Sequence, residues 1–409
     1  MSRTAPKRAP AKQQHGGRRG RGSGDDQLSS LPDGLLHAVL SFHKSRQVVQ
    51  TSVLSKRWRH LWRSMPCLDI DQSEFPGRTT APGTDHDFEN FADNLLLFHD
   101  APLLHRFRLS SRCAAGGPAS RNHNRDADRW IRGGIKNCPS MLEIDLGDYC
   151  IGVPLPDLGT CSHLLKRLHL SGMSLNDGFA QLLHFGCPVL EDLEIKHCFC
   201  LFRGITSHTL KTLTICGCLT CPGDDCLIIA APALVSLHLD VDVFNYKAGV
   251  SVNEAANLVN AFICSDDNKG LCKLLDGLTS VESLELSETM VPMDGGSENF
   301  PTFSNLRSLT LDHCDMTNNF QILRHFLQNA SNLEKLTLQY CKLPEGSKKR
   351  KGKDKPKWAS SRRQDLTFQC PNLKLTEIKY SKGDDKRLFE LLFGIWSNLR
   401  RATLILTKD

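Results

Sequence analysis

Residues 333–343 read Leu333-Glu334-Lys335-Leu336-Thr337-Leu338-Gln339-Tyr340-Cys341-Lys342-Leu343. The apolar-polar-apolar alternation at 336–338 is that of a strand with one face buried. The same apolar-x-x-apolar-x-apolar spacing occurs at Leu104, Phe107, Leu109; Met141, Ile144, Leu146; Leu165, Leu168, Leu170; Leu190, Leu193, Ile195; Leu210, Leu213, Ile215; and Leu234, Leu237, Leu239. It continues at Val281, Leu284, Leu286; Leu306, Leu309, Leu311; and more loosely at Leu375, Ile378, Tyr380 and Leu399, Ala402, Leu404.

Most steps are about 20 to 27 residues, the period of a leucine-rich repeat, with longer insertions after Leu239 and Leu338. The fuller repeat signature places Asn or Cys three residues after the last apolar position, where Cys198, Cys218, Cys314 and Cys341 stand. Helical stretches precede the strands and end in breakers: Phe179, Leu182, Leu183 and Phe185 lead to Gly186 and Pro188, and Ile322, Leu323, Phe326 and Leu327 lead to Asn329. One strand plus one helix cannot bury its own apolar face, so the units must stack into a curved solenoid with strands on the concave side.

Ahead of the repeats lies a different pattern. Pro32 suits the first turn of a helix, and Leu35, Leu36, Val39 and Leu40 then share one face. A second helix is predicted over 46–53. Ser55 is a suitable N-cap for a third, in which Trp58, Leu61, Trp62 and Met65 recur at helical spacing before Pro66.

The net charge of +6 conceals two basic blocks, about +7 over 1–24 and about +8 over 347–363, which leave about −9 for the remainder. A mildly acidic body argues against a nucleic-acid groove within the fold. No stretch approaches the roughly 20 apolar residues of a membrane span, and the basic, Gly/Pro-containing start lacks the apolar core of a secretory leader. The 17 cysteines follow the repeats rather than forming a disulfide framework, and read as reduced thiols.

The run Leu31-Pro32-Asp33, Leu35-Leu36, Val39-Leu40-Ser41-Phe42, Thr51 through Arg59, Leu61-Trp62 and Pro66 closely resembles the plant F-box. Phe88, Phe91, Asp93, Leu95 to Leu97 and Pro102 look like the helix that follows it in that family. Arg129-Trp130-Ile131 with Cys138-Pro139 looks like the next unit, and Cys370-Pro371-Asn372-Leu373 onward like the C-terminal FBD region. The chain thus resembles the plant F-box/LRR-repeat family, nearest to its monocot meiotic F-box subgroup. The expected architecture is an α/β leucine-rich-repeat solenoid preceded by a small all-α F-box. Its expected parts are a disordered basic tail (1–24), the F-box (25–70), a helical linker (71–103), repeats (104–346), a basic disordered insertion (347–363) and FBD-like repeats (364–409).

What the resemblance implies is a non-catalytic receptor in a Skp1–cullin–F-box ubiquitin ligase. The adaptor-binding residues carried over by position are Leu31, Pro32, Leu35, Leu36, Val39 and Leu40, with Val53, Leu54 and Trp58 as further contact or core positions. Through a Skp1-like adaptor the chain would join a cullin and a RING subunit, while the repeats hold a protein target in the nucleus or cytoplasm. One departure stands out: where the family continues Leu-Pro after Ser41-Phe42, this chain has His43-Lys44, which puts the end of the first helix and the strength of adaptor binding in question.

No catalytic residue, cofactor or metal is expected. Cys216, Cys218, Cys221 and Cys226 lie within one loop rather than in two separated ligand pairs, and Cys218 already has a repeat role. The basic run Lys348, Lys349, Arg350 and Lys351 reads either as a nuclear-import signal or as a solvated loop. Two other readings of the whole chain remain: a repeat scaffold that assembles no ligase, and a co-receptor whose concave pocket takes a small molecule.

Overall fold

A computed structural model describes residues 31–75, 86–112, 118–147, 152–220, 226–240, 249–265, 271–289, 300–317, 320–343, 370–381 and 402–408. Its spine is a parallel sheet of 13 strands among the described residues, ordered along the chain. The strands are Cys67–Asp71, Arg106–Ser110, Met141–Asp145, Arg167–Ser171, Asp192–Lys196, Thr212–Cys216, Ser236–Asp240, Asn260–Cys264, Ser283–Ser287, Ser308–Asp312, Lys335–Gln339, Leu375–Tyr380 and Thr403–Lys408. Register aligns Phe107, Leu142, Leu168, Leu193, Leu213 and Leu237 in one row. All six are buried, and alternate residues on the other face are half exposed. Each unit therefore buries two strand side chains, worth roughly 1.5–3 kcal/mol apiece, and only in contact with its neighbours.

The repeat cysteines have a backbone role. Cys198 donates its thiol hydrogen to the Leu170 carbonyl at 3.5 Å, Cys218 to Ile195 at 3.5 Å, Cys314 to Leu286 at 3.4 Å and Cys341 to Leu311 at 3.3 Å. In every case the acceptor is the last inward strand residue of the preceding unit. Burial pushes the Cys198 thiol up to about 12, so it stays protonated and able to donate. The residue before each of these cysteines carries the turn: His197, Gly217, His313 and Tyr340 all have left-handed φ. Gly172 fills the same place in the Arg167–Ser171 unit with φ 72, and a Cβ there would lie 2.0 Å from the Gly147 carbonyl oxygen.

Three units sit two residues away from the expected phase. Leu142 and Ile144, not Ile144 and Leu146, pair with Phe107 and Leu109. Thr376 and Ile378 pair with Leu336 and Leu338, which makes Leu373 rather than Leu375 the leading apolar residue. Leu404 then pairs with Thr376, so it takes the place assigned to Ala402; Leu399 lies outside the described residues. A two-residue slip preserves which face each side chain occupies, so alternation alone does not detect it.

Two strands of this main sheet went unforeseen. Asn260–Cys264 fills the long step after Leu239, with Ala261 in the leucine place. Cys67–Asp71 begins the sheet inside the segment assigned to the F-box. The expected helix per unit also fails midway: Gly204–Thr206, Leu227–Ala230 and Val250–Asn253 form a second parallel sheet instead. Runs such as Leu-Ile-Ile and Val-Ser-Val in short units favour strand over helix.

The N-terminal module has its own core of Leu36, Leu40, Val48, Trp58, Leu61 and Met65. Its helices span Asp33–Leu40, Ser45–Gln50 and Trp58–Leu61, the last two continued by single 3-10 turns at Thr51–Val53 and Trp62–Ser64. It is stitched to the solenoid. The Asp69 N–H donates to Ser45 Oγ at 2.8 Å, Lys44 pairs with Asp71, and Arg46 donates to the Glu74 carbonyl. Buried His99 donates from Nε2 to the Met65 carbonyl at 2.9 Å and accepts from Asn137 Nδ2 at 3.1 Å. The next joint is carboxylate-centred: Asp93 Oδ1 accepts from Trp130 Nε1 at 2.7 Å and from Arg129 Nη2 at 2.8 Å.

Candidate functional site

Two surfaces invite partners. The first lies on the helical module and follows from helix geometry. In Asp33–Leu40, positions 36 and 40 turn inward while 35 and 39 turn out. Leu36 is 1% exposed and Leu40 4%, whereas Leu35 is 54% and Val39 52% exposed. Beyond the helix Phe42 is 89% exposed, and on the following 3-10 turn Val53 and Leu54 stand at 84% and 65%. Arg57 Nε donates to Asp33 Oδ1 at 3.1 Å, holding the segment after that turn against the start of the first helix.

The nine residues carried over from the family pattern therefore divide. Leu36, Leu40 and Trp58 are core, Leu31 is half buried against that core, and Pro32, Leu35, Val39, Val53 and Leu54 are exposed. Phe42 was quoted in the motif but not placed in the site; its position just past a helix end, preceding a polar His-Lys pair, is the only signal of its exposure. The helix ends cleanly despite that pair. Ser41 Oγ donates to Ala38 O at 2.7 Å, the His43 N–H donates to Leu40 O at 3.0 Å, and Lys44 is the N-cap of the next helix. Five large apolar side chains in water around one small module are an unpartnered surface rather than a core remnant. Of the flanking cations, Lys56 and Arg59 are exposed, while Arg63 donates to the Phe98 carbonyl at 3.0 Å.

The second surface is the concave face of the sheet. Over its first strands, charges are paired along the rows. Asp69 lies 3.7 Å from Arg108 and 3.8 Å from Arg106, Arg108 also meets Glu143 at 3.7 Å, Arg167 holds Asp192 at 2.8 Å and Lys196 holds Glu194 at 3.0 Å. A cavity of about 340 Å³ opens here, lined by Arg108, Arg112, Glu143, Asp145, His169, Glu194, Lys196 and His197 with only Ile144 and Leu170 apolar. From Thr212 to Asp312 the face changes. His238 and Phe262 stack with centroids 4.2 Å apart and planes within 11°, and no strand residue in this stretch is lysine or arginine. Burial lifts Glu285 above the usual carboxylate range, and Asp312 adds to the shift.

Of the loop cysteines, Cys216 donates to Asp240 Oδ2 at 3.0 Å, Cys218 to the Ile195 carbonyl, and Cys226 lies 3.4 Å from Lys273 Nζ. Cys221 lies outside the described residues, as do Lys348, Lys349, Arg350 and Lys351. Among the described residues no group of His, Cys, Asp and Glu is arranged to hold a metal, and no helix is long and apolar enough to cross a membrane.

Comparison with known proteins agrees with this division. A family model described as the At1g61320/AtMIF1 LRR domain matches residues 137–403, and the F-box domain model matches 28–69. The MEIOTIC F-BOX protein MOF of Oryza sativa subsp. japonica is 32% identical over 88% of this chain and 81% of its own length. The F-box/FBD/LRR-repeat protein At1g78750 of Arabidopsis thaliana is 29% identical over 76% of this chain and 77% of its own. The F-box/LRR-repeat protein At3g26922 of the same plant is 29% identical over 69% of this chain and 96% of its own.

Proposed function

Because this chain belongs to the F-box/LRR-repeat proteins, we propose that it is the target-receiving subunit of a Skp1–cullin–F-box ubiquitin ligase. The observation that carries the reading is the apolar surface of Leu35, Val39, Phe42, Val53 and Leu54, supported from beneath by a separate core. A Skp1-like adaptor covers that surface; each such side chain yields roughly 1.5–3 kcal/mol when fully buried, before association costs. The adaptor brings the cullin and RING subunit. The concave face brings the target, and the chain contributes proximity rather than chemistry, raising the target's concentration beside a charged ubiquitin-conjugating enzyme.

The stitched joint between module and solenoid supports this role, since a receptor held rigidly on its adaptor presents the target at a constant height. The concave cavity does not favour a small-molecule co-receptor, because ligand pockets are mostly apolar and this one is lined almost entirely by charged and polar groups. The run Lys348, Lys349, Arg350 and Lys351 would admit the complex to the nucleus; a fluorescent fusion that stays equally nuclear after all four become Ala removes that assignment.

The deciding experiment is co-purification of the full chain with a Skp1-like adaptor and cullin, beside a Leu35→Ser, Val53→Ser variant. The wild type should assemble and the variant should not, with identical circular dichroism. A wild type that captures no adaptor defeats the proposal.

A further inference from the structure

The concave face changes character midway, and the change has a chemical meaning. In the first five strands that carry charge there, the carboxylates are matched by arginine or lysine on the same or adjacent strands. Across the five strands from Thr212–Cys216 to Ser308–Asp312 the acids remain and the cations vanish. Asp240, Glu285 and Asp312 share the half-exposed face, and among the described residues none makes an ion pair with lysine or arginine. Their partners among the described residues are thiols, a hydroxyl and an imidazole: the Cys216 and Cys264 thiols on Asp240, and Ser287 Oγ at 3.4 Å and His313 Nδ1 at 2.9 Å on Asp312.

The same stretch carries the only stacked ring pair on this face among the described residues, His238 on Phe262. An aromatic face is a second device for holding a cation, adding about 0.5–2 kcal/mol depending on exposure. Phe262 stands in register beside Glu285, so ring and carboxylate are adjacent on neighbouring strands.

Spacing defines the shape of the occupant. Asp240 and Asp312 hold the same register place three strands apart, which at about 4.8 Å per strand is about 14 Å. An extended chain crossing the strands puts side chains on one side every ~6.8 Å, so residues i and i+4 would reach the two aspartates while i+2 lies near Phe262 and Glu285.

We propose that this stretch of the concave face receives an extended segment of a partner protein bearing lysine or arginine at alternate positions. The inference rests on the reading of the concave face as the target-receiving surface and names the chemistry of the target. It accounts for the carboxylates that no lysine or arginine among the described residues pairs: the guest supplies the cation, and binding is steered by charge and weakened by salt.

The test uses the full chain in complex with its adaptor and fluorescein-labelled 12-residue peptides of alternating Arg-Ser, Glu-Ser or all Ser, read by fluorescence anisotropy. The Arg-Ser peptide alone should bind. Asp240→Asn, Glu285→Gln, Asp312→Asn together should weaken it at least tenfold, and Phe262→Ala severalfold. Glu143→Gln, Glu194→Gln, which also removes negative charge from the concave face, should leave it within twofold. Failure of the wild type to bind, or equal loss in both sets of variants, overturns the proposal. Binding that appears only after Lys348, Lys349, Arg350 and Lys351 become Ala assigns the face to this chain's own basic run and also overturns it. Peptide binding lost while adaptor capture persists strikes this inference alone; adaptor capture lost while peptide binding persists strikes the ligase reading alone.

Discussion

Lys44, the N-cap of the second helix, ion-pairs with Asp71 at the end of the first strand, closing a loop between helical module and solenoid. Burial pushes Asp71 up, but hydrogen bonds from Lys44 and Ser73 outweigh it and hold the carboxyl below the usual range. The hydrogen bond to Asp71 raises Lys44. The pair's contribution is therefore complete between about pH 4 and pH 10.5, lost as pH falls through the depressed Asp71 value or rises through the raised Lys44 value. Since Lys44 is about a third exposed, Lys44→Met should cost only about 0.5–1 kcal/mol. Urea unfolding at pH 7 should show that difference, and it should shrink below about pH 4.

Leu35 and Leu36 are neighbours with opposite fates. Leu36→Ala empties a fully buried site and should cost about 2–5 kcal/mol. Leu35→Ala should change stability by less than about 0.5 kcal/mol while reducing adaptor capture. Thermal unfolding of the two single variants separates fold from interface, which a double substitution would confound.

His99 is held neutral by burial, which places it below the ordinary histidine value against the pull of the Met65 carbonyl. Burial lowers His238 and His325 as well. A histidine lowered on folding stabilises fully above its unfolded value of about 6.5, and that contribution declines as pH falls toward the folded value. The melting temperature should drop from pH 7.5 to 5.5, and His99→Gln should make that slope shallower.

Gly172→Ala meets both a left-handed backbone and the Gly147 carbonyl oxygen, and should cost more than about 2 kcal/mol. Gly34, inside the first helix with nothing near its missing Cβ, should instead gain about 0.5–1 kcal/mol as Ala. Paired melting curves check the contrast.

The repeats were legible in the sequence because the inward leucines recur at constant spacing and cysteine marks the unit's end. They blurred where chemistry deviates: Ala261 and Thr376 fill leucine places with small or polar side chains, hiding one unit and shifting another. The division of the F-box leucines was legible only as helix phase, and Phe42 lay beyond the phase. The ties at Ser45, Lys44 and His99 were invisible, since they join residues 24 to 38 positions apart through side-chain bonds that no local pattern announces.

The bond from Asp69 N–H to Ser45 Oγ has a practical side. Among the described residues the first strand pairs on one side only, and a bare strand margin is a template for aggregation. The F-box seals that margin, much as terminal repeats seal other solenoids. Removing it to delete the proposed adaptor surface would also strip the array of its end-piece, so that surface is better tested by point changes at Leu35 and Val53.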